Sequence, residues 1–241
     1  MTDIVTRTID YDCAGTPLQG YLASPGGGGG RRPAVLLVHE WSGVGEHVCE
    51  RARQVAGELG YHGFAVDVYG RGIRPESVED CSATMMIYVN DRELLCRRLQ
   101  AALAWIRAQP DVDATRIAIL GYCFGGLAAL ELARSGADLR LAASFHGNLS
   151  HRVPAASGAV RCPVVAFHGA DDPLVTQDVV AAFQREMTDA GADWTVVQFS
   201  GAVHSFTNRA AADRGFGIEY HAVADRRSFA MLVQYLAEAF D

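Results

Sequence analysis

Short, mainly apolar runs alternate along this chain with longer stretches of helical periodicity. Residues 34–38, Ala-Val-Leu-Leu-Val, carry no polar side chain, and runs of similar length occupy 63–68, 116–120, 139–145, 163–167 and 194–199. Runs this short without polar alternation suit strands buried on both faces of a parallel sheet. Between them the spacing predicts helices over 46–59, closed by Gly60, over 78–108 in two pieces ending before Pro110, and over 123–135, 175–190 and 223–240. The first 25 residues read as a β-hairpin, with a turn signal at Gly15-Thr16-Pro17 and alternation over 18–22. The glycines from Gly26 to Gly30 then read as a flexible, exposed connection, because a glycine run holds no regular element cheaply. Strands alternating with helices throughout predict an α/β fold, a mostly parallel central sheet with helices on both faces, built as one domain over 1–241.

The chemistry concentrates at the carboxyl ends of the predicted strands, where open parallel sheets place their sites. Glu40, Cys123, His146, the pair Asp171-Asp172 and His204 all fall there. Most specific is Gly121-Tyr122-Cys123-Phe124-Gly125-Gly126. An apolar strand ends at Gly121, a helical pattern begins just beyond, and Cys123 stands in the sharp turn between them. That is a nucleophile elbow with cysteine at its tip. The turn is tight, so its neighbours must be small, and the helix N-terminus favours a thiolate.

A thiol nucleophile needs a base, and the base needs an orienting acid. His204 lies in a loop directly after the last predicted strand. The acid is offered by Phe167-His168-Gly169-Ala170-Asp171-Asp172-Pro173. The spacing from Gly169 favours Asp172, leaving Asp171 as a turn or capping residue. The order nucleophile, acid, histidine is that of α/β-hydrolases. An oxyanion hole would then use the backbone N–H of Phe124 and one from the loop after the first core strand, for which Trp41 is the choice. Trp41, His146 and Phe206 are further expected to contact substrate. His146 and His168 otherwise read as structural.

Charge and cysteine content narrow the classes. A net charge of −7 with no basic cluster argues against a nucleic-acid surface. The six cysteines include no C-x-x-C pair, so no metal site is expected, and free thiols in a reducing cytoplasm are the reading adopted. No apolar run is long enough to span a bilayer, no signal segment is visible, and no cofactor is implied.

Val38-His39-Glu40-Trp41-Ser42-Gly43, Asp67-Val68-Tyr69-Gly70, the elbow and His204-Ser205-Phe206 together resemble the dienelactone hydrolase family over nearly the whole chain. The resemblance implies an α/β-hydrolase fold, a Cys123–Asp172–His204 triad, and hydrolysis of a small-molecule ester or lactone through a thioester. It also implies that Glu40 contacts the resting thiol and keeps it un-ionised until substrate binds, which is sound physics because a neighbouring carboxylate raises the cost of a thiolate. One departure bears on substrate. The family's dienelactone enzymes hold a substrate carboxylate with arginines, one of them four residues after the histidine. Here that position is Asn208, with Arg209 one later, and the stretch from Cys81 to Asn90 offers Met85, Met86 and Tyr88 but no arginine before Arg92. A neutral or larger ester fits these residues as well as dienelactone does. Thioester hydrolysis, acyl transfer, and a silent binding member of the fold are the competing readings.

Overall fold

The computed structural model describes residues 3–27 and 29–241. The chain forms two compact units, Met1–Ile119 and Leu120–Asp241. Strand β5 (Val112–Tyr122) runs through the boundary and belongs to both.

In the first unit the strand order is β1-β2-β4-β3-β5. The hairpin of β1 (Ile4–Cys13) and β2 (Thr16–Pro25) pairs from Ile4 with Pro25 to Cys13 with Thr16. Its turn is Ala14-Gly15, both left-handed, one step earlier than the sequence signal suggested, so Pro17 is already in the strand. This is the backbone sense that two-residue hairpin loops prefer. β3 (Arg32–Val38) and β4 (His62–Val66) pair in parallel, and the apolar run 34–38 is wholly buried, as its lack of alternation predicts. Of the glycine run, Gly28 lies outside the described residues. Helix α1 (Glu46–Gln54) continues as a wider, π-helical turn over Val55–Leu59 before Gly60 ends it. The expected long helical stretch is two helices. Ser77 caps α2 (Val78–Asn90) through Asp80 N at 3.0 Å, and Asp91 caps α3 (Arg92–Arg107) through Leu94 N at 2.8 Å. Each such cap is worth about 1 kcal/mol.

In the second unit the order is β5-β6-β7-β8, with β6 (Leu141–Phe145), β7 (Val164–Gly169) and β8 (Trp194–Phe199) parallel. Helix α4 (Phe124–Arg134) follows β5 directly and is buried along its whole length. Its last residue, Arg134, anchors a buried network. The guanidinium donates to both carboxylate oxygens of Glu186 at 2.8 Å, to Glu131 at 2.8 Å and to the carbonyl of Leu149 at 2.9 Å. Glu186, on α5 (Gln177–Asp189), also accepts from Ala155 N at 3.1 Å, so one ion cluster pins the long loop after β6. A two-stranded hairpin of β9 (Ala212–Asp213) and β10 (Ile218–Glu219) precedes the closing helix α6 (Ala222–Phe240). The described helices include none long and apolar enough to cross a membrane.

Candidate active site

Three loops of the second unit, after β5, β7 and β8, bring the predicted nucleophile, acid and base together. Cys123 sits between Tyr122, the last residue of β5, and Phe124, the first of α4, with φ 55° and ψ −115°. A non-glycine residue in such a region costs about 1–3 kcal/mol and persists only where its surroundings over-determine it. Several groups do so here. The Cys123 N–H donates to the carbonyl of Phe145 at 3.0 Å and to Nδ1 of His146 at 3.2 Å. Its carbonyl accepts from Gly126 N at 3.0 Å and Leu127 N at 3.4 Å, opening the first turn of α4. Gly121 is obligatory, because a Cβ there would lie 1.9 Å from the carbonyl oxygen of Gly125.

Of the two candidate aspartates, Asp172 is the one that bonds the histidine. Its Oδ2 lies 2.8 Å from His204 Nδ1, while Oδ1 accepts from Leu174 N at 2.8 Å and Val175 N at 3.1 Å. Both carboxylate oxygens are therefore fixed, and the side chain is fully buried. Asp171 is exposed, and its backbone N–H bonds the carbonyl of Ala202. The two aspartates differ in the direction the turn gives their side chains, which residue type cannot reveal.

His204 is buried, and its backbone is clamped on both sides: its N–H donates to Gly217 and its carbonyl accepts from Glu219, at 3.0 and 3.1 Å. The β9–β10 hairpin that supplies these partners has strands too short to leave a periodic signal. Burial alone pulls the imidazole down. The charge of Cys123 and hydrogen bonds with Asp172 and Cys123 outweigh it, pushing His204 up to about 10. A Cys–His pair of opposite charge is thus the favoured electrostatic state wherever the thiol is ionised.

His146 and Phe206, expected to contact substrate, are fully buried, each 0 % exposed. Their contacts go to protein groups. The His146 ring meets those of His204 at 5.4 Å and Phe206 at 5.1 Å edge-on, and its Nε2 lies 2.8 Å from Thr207 Oγ1. His168 is buried too, and burial holds its pKa down; neither ring nitrogen has a hydrogen-bond partner among the described residues.

The remaining candidates belong to the first unit. Glu40 follows β3, and its Oε2 lies 3.4 Å from Nδ1 of His47. Trp41 is half-buried, and its carbonyl accepts from the Tyr69 hydroxyl at 2.8 Å. His39 Nε2 accepts from Val68 N at 3.3 Å and its Nδ1 faces the Glu40 carbonyl at 2.6 Å, so the ring ties the ends of β3 and β4. Asp67 staples its own loop, accepting from the N–H groups of Tyr69, Gly70 and Gln19. Met86 is exposed on α2, whereas Tyr88 is packed and donates to the Tyr69 carbonyl.

Comparison with known proteins gives a consistent picture. The sequence model of the Dienelactone hydrolase family matches residues 18–240. A Salmonella typhimurium protein named "Putative carboxymethylenebutenolidase" is 26% identical over 93% of this chain and 84% of its own length. A Bradyrhizobium protein named "Probable 2-oxo-3-(5-oxofuran-2-ylidene)propanoate lactonase" is 28% identical over 82% of each. Among solved structures, a dienelactone hydrolase-like promiscuous phosphotriesterase from metagenomic libraries is 37% identical, covers 99% of both chains and has a TM-score of 0.93.

Proposed function

Because the chain belongs to the dienelactone hydrolase family, we propose that it hydrolyses an activated ester or lactone through a thioester on Cys123. The observation that carries this reading is the 2.8 Å bond from Asp172 to His204, with His204 in turn bonded to the cysteine at the elbow.

The steps follow from the charges. His204 holds the proton released by Cys123, and the thiolate attacks the substrate carbonyl. The oxyanion is received by the N–H of Phe124, at the start of α4, and by that of Trp41. The intermediate collapses, the C–O bond breaks, and the imidazolium gives its proton to the departing alkoxide or enolate. Once the sulfur is acylated its negative charge is gone. The part of the upward pull on His204 that came from Cys123 goes with it, leaving only that of Asp172 against the burial that pulls the imidazole down. His204 is then a base able to take a proton from water. The hydroxide equivalent cleaves the thioester, releasing the acid and restoring the thiol. A thiolate leaves readily from a tetrahedral intermediate, so substrates with good leaving groups are favoured over simple alkyl esters and amides. The chemistry needs no cofactor.

Glu40 takes its part in this proposal from the sequence resemblance, and Trp41 from its place in the loop after the first core strand. If Glu40 keeps the resting thiol un-ionised, Glu40→Gln alkylates faster than wild type in the absence of substrate, and a substrate analogue closes the difference. Equal rates remove that role.

The test of the main reading is turnover of an aryl ester and of a lactone by wild type and by Cys123→Ala. Loss of at least about a thousandfold in kcat is expected on removing a nucleophile that acts with its base. A Cys123→Ala protein as active as wild type overturns it. An aryl phosphotriester and an acyl thioester belong in the same panel. The first tests for the side activity named in the 37%-identical structure, and faster turnover of the second would make thioesters the substrate class.

A further inference from the structure

We propose that His146 is a positioning residue that sets the strained backbone of Cys123 and ties it to the loop bearing His204. The inference rests on the reading of Cys123 as nucleophile. It starts from two non-glycine residues with left-handed backbones, Cys123 at φ 55° and His146 at φ 40°, that are bonded directly to each other. The His146 N–H donates to the carbonyl of Phe167 at 2.8 Å, which holds its own backbone in place.

The direction of each bond follows from chemistry. A backbone N–H can only donate, so His146 Nδ1 accepts from Cys123 and carries no proton. The ring's proton is then on Nε2 and is donated to Thr207 Oγ1 at 2.8 Å. Thr207, itself buried, lies three residues beyond His204. A single neutral imidazole thus links the elbow to the histidine loop, with the His204 ring edge-on to it at 5.4 Å. The Cys123 N–H is shared between two acceptors, the Phe145 carbonyl and this ring. Without Nδ1 the amide can swing toward the carbonyl alone, and the cysteine turns with it. The ring makes no proton transfer in the reaction. Protein groups occupy both nitrogens, and its surface is wholly covered.

Three variants separate this role from packing. His146→Leu keeps bulk and removes the acceptor. His146→Asn places an amide oxygen where Nδ1 stands, and asparagine tolerates a left-handed backbone. Thr207→Val removes the group that orients the ring. His146→Leu is expected to lose between about tenfold and a hundredfold in kcat on an aryl ester, the scale of a small misplacement of a reacting group, with KM little changed. His146→Asn is expected to rescue most of that loss. Thr207→Val is expected to lower kcat by at least about threefold, because it frees the ring without removing the acceptor. Iodoacetamide reactivity of Cys123 should follow the same order.

A folded His146→Leu with wild-type kcat overturns the proposal, as does a folded His146→Asn no better than His146→Leu. Should His146→Leu not fold, Thr207→Val decides: a lowered kcat at unchanged KM supports the proposal, and wild-type kinetics overturn it. Cys123→Ala is assayed alongside. If it stays active the nucleophile reading has failed. If it is dead while the His146 and Thr207 variants match wild type, only the positioning role has failed.

Discussion

Asp172 and Asp171 differ by one position and by almost everything else. Asp172 divides its two oxygens between the backbone and His204, so Asp172→Asn should fold while presenting an NH₂ to His204 Nδ1. That forces the wrong tautomer on the imidazole, and a loss on the order of 10⁴ in kcat is expected. Asp171→Asn, at an exposed side chain, should leave kcat within about twofold of wild type. Steady-state kinetics on one aryl ester check both, and matched losses would mean that the acid has been misassigned. The sequence places a carboxylate in this turn but not its direction, since either aspartate could have faced the histidine. The same holds for the link from Cys123 through His146 to Thr207. Those residues are far apart in the chain, and no spacing rule joins them. His204 offers a pH test at this scale. Its raised pKa, about 10, rests on the negative charge of Cys123 together with Asp172, so a protonated imidazole stands beside any thiolate formed at neutral pH. At pH 7, His204→Gln should slow alkylation of Cys123 by about tenfold or more, because it removes both the proton acceptor and the contacting opposite charge of the thiolate. An unchanged rate would show that the thiolate forms without the imidazolium.

Elements with continuous burial were the most legible. The buried apolar run 34–38 lies where its pattern places it, as does the strand Trp194–Phe199 although it is only half-buried, and the elbow glycines mark the join of β5 and α4. Strand β5 begins earlier than its apolar part, at Val112, because its first half carries polar side chains that hide it. The π-helical turn after α1 and the β9–β10 hairpin left no signal, since neither is long enough to show a period. Yet that hairpin holds the backbone of His204 on both sides. Gly217 is where it can be disturbed. With φ +88° and Pro173 Cγ only 2.2 Å from where a Cβ would sit, Gly217→Ala must move the hairpin away from the acid turn. A fall in kcat of about tenfold is expected, with a stability cost of about 1 kcal/mol from the left-handed backbone. Gly215→Ala, whose nearest neighbour would be Asp213 Oδ1 at 3.4 Å, is the control and should behave as wild type. Thermal melting and kinetics on both proteins separate displacement of His204 from general destabilisation. Equal kinetics for the two variants would show that the hairpin does not set the histidine.

At the scale of the whole chain, buried neutral histidines make acid the natural stress. His39 is fully buried, and desolvation, opposed by the Glu40 carbonyl and the charge of Asp67, lowers it to about 4. Its Nε2 accepts from Val68 N, so a proton there would also break the tie between the ends of β3 and β4. His168 is shifted the same way, again chiefly by burial. The sign follows from which state binds protons first. Above the unfolded value of 6.5 both states are neutral at His39, and it contributes no pH dependence. Between 6.5 and about 4 the unfolded chain takes up the proton and the folded one does not, so stability falls as pH falls. At about 1.4 kcal/mol for each pH unit of that window, His39 alone removes up to about 3 kcal/mol, a large fraction of the 5–15 kcal/mol typical of a folded chain. Urea unfolding at pH 7.5 and pH 4.5 measures the loss, and His39→Gln identifies its source. Glutamine can still accept from Val68 but does not titrate, so the variant should be less stable at pH 7.5 and show a smaller drop on acidification. A drop of the same size in both proteins would assign the acid sensitivity to the carboxylates or to His168, and would remove His39 as the titrating group.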